Sequence, residues 1–98
     1  MAEQAESGGV SITIKLFSAL REALGESEFE LDLVGMEPAA NELDVAAIKA
    51  ALSKRGAAWR DALNQPNVVH ALNHKVVFTD ALVSEGDELA FFPPMTGG

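Results

Sequence analysis

The sequence predicts an α+β domain of two layers: a single mixed β-sheet with one longer helix packed across one face. Two observations carry this expectation. Stretches of apolar–polar alternation open the chain and recur later, and between them lies a stretch whose apolar residues repeat at helical spacing. The resulting order is strand, short helix, strand, longer helix, strands, which fits one sheet covered on one side.

Val10 to Leu16 alternates without a break and reads as a half-buried strand. Ser18 is placed to cap a short helix through Leu24, with Ala19, Leu20, Ala23 and Leu24 on its inner side and Gly25 as its stop. Glu28 to Leu33 alternates again, with Phe29, Leu31 and Leu33 inward and Glu28, Glu30 and Asp32 forming a solvated outer face. Gly35 to Leu43 is a loop marked by Gly35 and Pro38. Asp44 then caps the longer helix, along which Val45, Ile48 and Leu52 recur at i, i+3 and i+7. Lys49, Lys54 and Arg55 lie off that stripe, the last two where a cation complements the helix dipole, and Gly56 is expected at C′. Ala57 to Leu63 reads as a further short helix offering Trp59 and Leu63 to the core. Val68 to Leu72 and Lys75 to Phe78 are strands joined by a tight turn at Asn73-His74. Gly86-Asp87 marks a turn before the last strand, Glu88 to Phe92, on which Leu89 and Phe91 share a face.

A chain of 98 residues makes one domain, with 48% hydrophobic and 22% charged residues as in ordinary globular proteins. No apolar run approaches the length of a membrane span, so no membrane partner is expected. Residues 1–9 are acidic and lack the apolar segment of a secretory signal; they read as a disordered extension, followed by a domain over 10–92 and a tail over 93–98. The net charge of −8 argues against nucleic acid and fits a partner with a basic surface. Cysteine is absent, which excludes disulfides, thiolate nucleophiles and Cys-based metal sites, and suits a cytoplasmic location. Sulfur carried by such a chain has a terminal thiocarboxylate as its available form.

The body shows no constellation for chemistry. His70 and His74 are four apart, a metal-binding spacing only on a helix, whereas here they fall on a strand and a turn, so no metal site is expected. Gly8-Gly9 is not followed by Gly-Lys-Ser/Thr and makes no phosphate loop, so no cofactor is expected on this chain. No nucleophile–base triad is recognisable.

The tail is different. Phe91-Phe92-Pro93-Pro94-Met95-Thr96-Gly97-Gly98 combines an aromatic pair, a rigid pair and a tip without side chains. Pro93 and Pro94 fix φ and lack N–H donors, biasing the segment toward an extended projection. Gly97 and Gly98 lack Cβ and can thread a narrow channel. Average glycine usage gives a terminal Gly-Gly by chance in roughly 1 chain in 200, so the pair alone is a weak signal, and the preceding residues supply the specificity. A Gly98 α-carboxylate is anionic near neutral pH and suited to attack the α-phosphate of ATP, giving an acyl adenylate that a second nucleophile displaces. Adjacent strand residues point to opposite faces, so Phe91 fits the core and Phe92 the outside, either as a docking anchor or beneath a loop.

From Val10 to Gly98 the chain resembles the molybdopterin synthase small-subunit (MoaD-like) family of sulfur carriers, with a ubiquitin-like β-grasp fold. The resemblance rests on Ile14-Lys15-Leu16-Phe17 followed by Leu20-Arg21-Glu22 and Gly25, on Ala71-Leu72-Asn73, and on Gly86-Asp87-Glu88 leading into Phe91-Phe92-Pro93-Pro94 and Gly97-Gly98. It implies that an E1-like adenylating enzyme uses ATP to activate Gly98, that a sulfur donor protein converts the adenylate to a thiocarboxylate, and that the tail, Pro93 to Gly98, inserts into the large subunit. There sulfur passes to cyclic pyranopterin monophosphate during molybdenum cofactor biosynthesis. It also implies a subunit interface of Phe17, Val76 and Phe92, although Val76 stands where Leu is expected. Residues 1–9 and the long Gly35–Leu43 connection depart from the family pattern without touching the tail. A ubiquitin-like modifier, a thiamine-thiazole sulfur carrier and a passive binding module are the competing readings.

Overall fold

In the computed structural model, residues 11–33 and 43–93 are described. The expected extension at 1–9, Val10, loop residues 34–42 and tail residues 94–98 lie outside them. Along the described residues the elements run β1 (Ser11–Leu16), α1 (Ser18–Leu24), β2 (Glu28–Asp32), α2 (Val45–Ser53), α3 (Ala57–Leu63), β3 (Val69–Leu72), β4 (Lys75–Val77) and β5 (Glu88–Phe92). The strands form one sheet in the order β2-β1-β5-β3-β4. Only β1 and β5 pair in parallel; the other neighbours are antiparallel, so the sheet is mixed as expected.

Alternation decides which face of the sheet is covered. Ile12, Ile14 and Leu16 of β1 and Leu89 and Phe91 of β5 are fully or almost fully buried. They share a core with Val45, Ile48 and Leu52, the predicted stripe of α2, and with Leu20 and Leu63 from the shorter helices. Asp44 caps α2 as predicted, its Oδ1 accepting from the Ala47 N–H at 2.9 Å. The Asn73-His74 turn is also found: both residues have positive φ, 51° and 74°, the requirement of a type I′ hairpin.

Four local expectations are corrected. Ser18 does not cap α1; it is the first helical residue with φ 53°, and extended Phe17 occupies the cap position, its carbonyl accepting from Leu20 N–H. Phe17 is pinned from outside the helix, because its N–H donates to the Phe91 carbonyl at 3.2 Å. Ala19 and Ala23 are exposed, leaving Leu20 and half-buried Leu24 to pack inward. Gly56 is not the C′ residue of α2; that helix closes at Lys54, and Gly56 takes the N-cap position of α3. Finally, β4 stops at Val77, leaving Phe78 beyond it.

Arg55 has a more specific partner than the helix dipole. Its guanidinium lies 4.4 Å from the Phe29 ring centroid and 4.3 Å from that of Trp59, while those rings meet edge-on at 5.7 Å. One cation thereby ties β2 to α3 just past the end of α2. Arg55→Ala is expected to lower unfolding free energy by about 1 kcal/mol, whereas Lys54→Ala should stay within about 0.5 kcal/mol; urea unfolding of both variants checks this.

His70 is the buried polar residue of the sheet, set edge-on to Phe91 at 5.6 Å, and its Nε2 has no hydrogen-bond partner among the described residues. Burial, then the nearby Lys49 charge, hold its pKa below the usual 6.5. The neutral ring is therefore favoured in the fold. Its contribution is fully present above pH about 6.5 and is lost as pH falls toward the depressed folded value. Unfolding free energy of the wild type should drop between pH 7.5 and pH 5.5 by more than that of His70→Leu; equal drops would show that the fold does not hold the imidazole pKa below its unfolded value.

Candidate functional site

The strand that leads into the tail is held at its start by side chains. Asn73 in the hairpin turn donates from Nδ2 to Asp87 Oδ1 at 3.0 Å and accepts at Oδ1 from the Glu88 N–H at 2.9 Å. Its own N–H donates to the Glu88 carbonyl at 2.8 Å, and the other Asp87 oxygen accepts from Ser84 N–H at 2.7 Å. Two of the sequence motifs, Ala71-Leu72-Asn73 and Gly86-Asp87-Glu88, are thus halves of one hydrogen-bonded knot. Glu88 is further paired with Lys15 at 3.5 Å and with exposed His74 at 3.6 Å. His70 faces the core while His74 sits in the turn, so the two rings do not converge.

From this fixed start β5 runs through the middle of the sheet. Phe91 is completely buried and Phe92 half-buried on the opposite face. The Phe92 ring stacks on Phe17, centroids 4.6 Å apart and planes within 2°. The predicted interface residues Phe17 and Phe92 are therefore brought together as one flat aromatic surface.

Val76 lies on the same face, 74% exposed, and is connected to β5 through the register Ala90–Ala71–Val76. Two strand spacings, roughly 10 Å, separate it from β5. Lys15, Thr13, Glu30 and Glu28 occupy the other half of this open face, where Glu30 accepts from Ser11 Oγ at 3.0 Å and from Thr13 Oγ1 at 2.8 Å. The face is thus divided, acidic toward β2 and apolar toward β4.

Two residues of the apolar half escaped sequence reasoning. Val69 is the β3 partner of Phe92. Phe78, just past β4, is 81% exposed. Alternation along each strand would have assigned both to this face; their neighbourhood with Phe92 depends on register between distant strands.

Pro93 is half-buried directly after β5 and, having no N–H, adds no rung to the sheet. The strand therefore ends beside the Phe17–Phe92 stack. The predicted tail residues Pro94, Met95, Thr96, Gly97 and Gly98 lie outside the described residues. Among the described residues no helix is long and apolar enough to cross a membrane.

Comparison with known proteins agrees with this layout. The chain is 36% identical over 70 residues to the molybdopterin synthase sulfur carrier subunit of Haemophilus influenzae, covering 68% of this chain and 86% of that one. It is 32% identical over 87 residues to the protein of the same name in Escherichia coli, covering 89% and 99%. Among solved structures, small archaeal modifier protein 1 of Haloferax volcanii superposes with a TM-score of 0.68 at 25% identity, over 89% of this chain and 100% of that one. One subunit of the Helicobacter pylori complex between subunits 1 and 2 of molybdopterin-converting factor shares the fold, with a TM-score of 0.58 at 19% identity over 90% and 99%. Residues 14–98, from the middle of β1 to the last glycine, match the ThiS family, and the chain belongs to that family.

Proposed function

We propose that this chain is the sulfur carrier subunit of a molybdopterin synthase, with Gly98 as the residue that is charged. The observation that carries the reading is the aromatic stack beside the tail exit, in a chain 32–36% identical to curated sulfur carrier subunits. In this reading an oxygen of the Gly98 carboxylate attacks the α-phosphorus of ATP on an E1-like adenylating enzyme, and pyrophosphate leaves. The outer sulfur of a persulfide on a donor protein then attacks the acyl carbon and AMP leaves; a second donor thiol cleaves the resulting acyl disulfide, forming a disulfide on the donor and releasing the thiocarboxylate. A carboxylate is a poor acyl electrophile; the adenylate supplies the leaving group it lacks. The body of the domain docks on the large subunit through Phe17, Phe92 and Val76. Pro93, Pro94, Met95, Thr96 and Gly97 carry the sulfur into that subunit's active site, where it is delivered to cyclic pyranopterin monophosphate at high effective concentration. Water then cleaves the acyl–sulfur bond, leaving the sulfur on the pterin and returning the carrier as the carboxylate. This chain holds no cofactor of its own, and the chemistry is compatible with the cytoplasm.

The solved modifier neighbour favours one second reading, conjugation of Gly98 to lysines of other proteins. Intact mass of the protein after incubation with its activating enzyme, ATP and sulfur donor separates the two. One oxygen replaced by sulfur on the C-terminal peptide marks a carrier; isopeptide-linked ladders mark a modifier. Production of pterin product with the large subunit separates it from a thiamine-thiazole carrier.

Deleting Gly98, or adding one residue after it, is expected to abolish sulfur transfer while large-subunit affinity and thermal stability stay near wild type; continued pterin sulfuration by the truncated chain would refute the tail mechanism. Phe92→Ala should weaken docking by about 2 kcal/mol, read by calorimetric titration with the large subunit, because it removes one half of the stacked pair.

A further inference from the structure

The sheet registers, extended by one residue at the tail end, place Phe17, Phe92, Val69 and Phe78 in one transverse row on four adjacent strands. Phe17 follows the β1–β5 register, Val69 is the observed partner of Phe92, and Phe78 continues the β3–β4 pairing in which His70 faces Val77. Val69, Val76 and Phe78 line an open groove of about 440 Å³ at this end of β3 and β4, whose lining also takes in Val68, His70 and Val77. No residue lining this groove carries a fixed charge, in a chain whose net charge is −8. Depletion of charge around exposed aromatic residues is the compositional mark of an interface core.

Phe78 is also held in place. Val77 before it is paired in the sheet, its own carbonyl accepts from Ala81 N–H at 3.1 Å, and the next carbonyl, of Thr79, accepts from Ala46 N–H at 3.0 Å at the start of α2. A bulky ring that is 81% exposed on a backbone fixed from both sides needs no backbone ordering when a partner covers it, which leaves the two side-chain torsions as the freedom to be lost. Such a ring adds nothing to the core and is positioned for use outside it.

We infer that Phe78 is a further docking anchor for the subunit that receives the tail, and that the Val69–Val76–Phe78 groove takes an apolar side chain of that subunit. The inference rests on the proposed docking of the Phe17–Phe92 face and extends it by two strands. The partner is identified by continuity: whatever covers Phe92 while the tail is inserted lies against Val69, and the groove begins there. An aliphatic or aromatic side chain suits a groove without formal charge.

The test titrates the full chain and its variants calorimetrically against the molybdopterin synthase large subunit, with thermal unfolding recorded for each. Phe78→Ser is expected to weaken binding about tenfold, equivalent to ~1.4 kcal/mol, with an unchanged unfolding temperature. Leu82→Ser, at a 62% exposed position off the row, is expected to bind as the wild type does. Unchanged affinity for Phe78→Ser together with weakened binding for Phe92→Ala would overturn this inference and leave the proposed function standing. If neither variant weakened binding, the docking reading beneath it would fail as well. Equal weakening by Leu82→Ser would also overturn it, as would a dimer of the isolated chain, seen by sedimentation, that Phe78→Ser dissolves.

Discussion

Everything on this molecule's working side depends on β5 being a central strand. It is bonded to β1 on one side and β3 on the other, so its backbone has no freedom to shift, and the pleat fixes where each side chain points. Phe91 fills the core, Phe92 meets Phe17 on the open face, and Pro93 ends the ladder. Three successive residues thus have three different surroundings: the core, the open face and the end of the strand. A slip of one position would exchange the two rings and bury Phe92.

The same constraint divides the two sides of the sheet. Helices cover one face, and the other is open, acidic toward β2 and apolar toward β4. Complementary charge speeds encounter, whereas buried aromatic area determines how long the partners stay together. Phe17 joins the two faces: the residue that stacks on Phe92 also occupies the cap position of α1.

Much of this was legible in the sequence because it is written in local periodicity. Alternation located β1, β2 and β5, the i, i+3, i+7 stripe located α2, and Asn73-His74 located the hairpin. What was missed belongs to contacts between residues distant along the chain. Ser18 has the composition of a cap, but Phe17 is pinned by the Phe91 carbonyl and takes the position instead. Arg55 reads as a dipole partner until Phe29, from another element, is found beneath it. Phe92 was read as outward from alternation and Phe17 through family resemblance, whereas Val69 and Phe78 join them only through cross-strand register, which no single window of sequence contains.

The strand order has a consequence for how the protein is made. β2-β1 and β3-β4 are separate antiparallel pairs, the first connected through α1, and β5 joins them, with Thr13 opposite Glu88. In chain order both pairs precede the strand that unites them, and until it adds, each has an edge open to wrong pairing. Closure between the most distant parts of the chain is the slow kind of contact. The sheet is therefore completed only once β5, the last of its strands in chain order, has been made, and β1 waits through synthesis for its parallel partner.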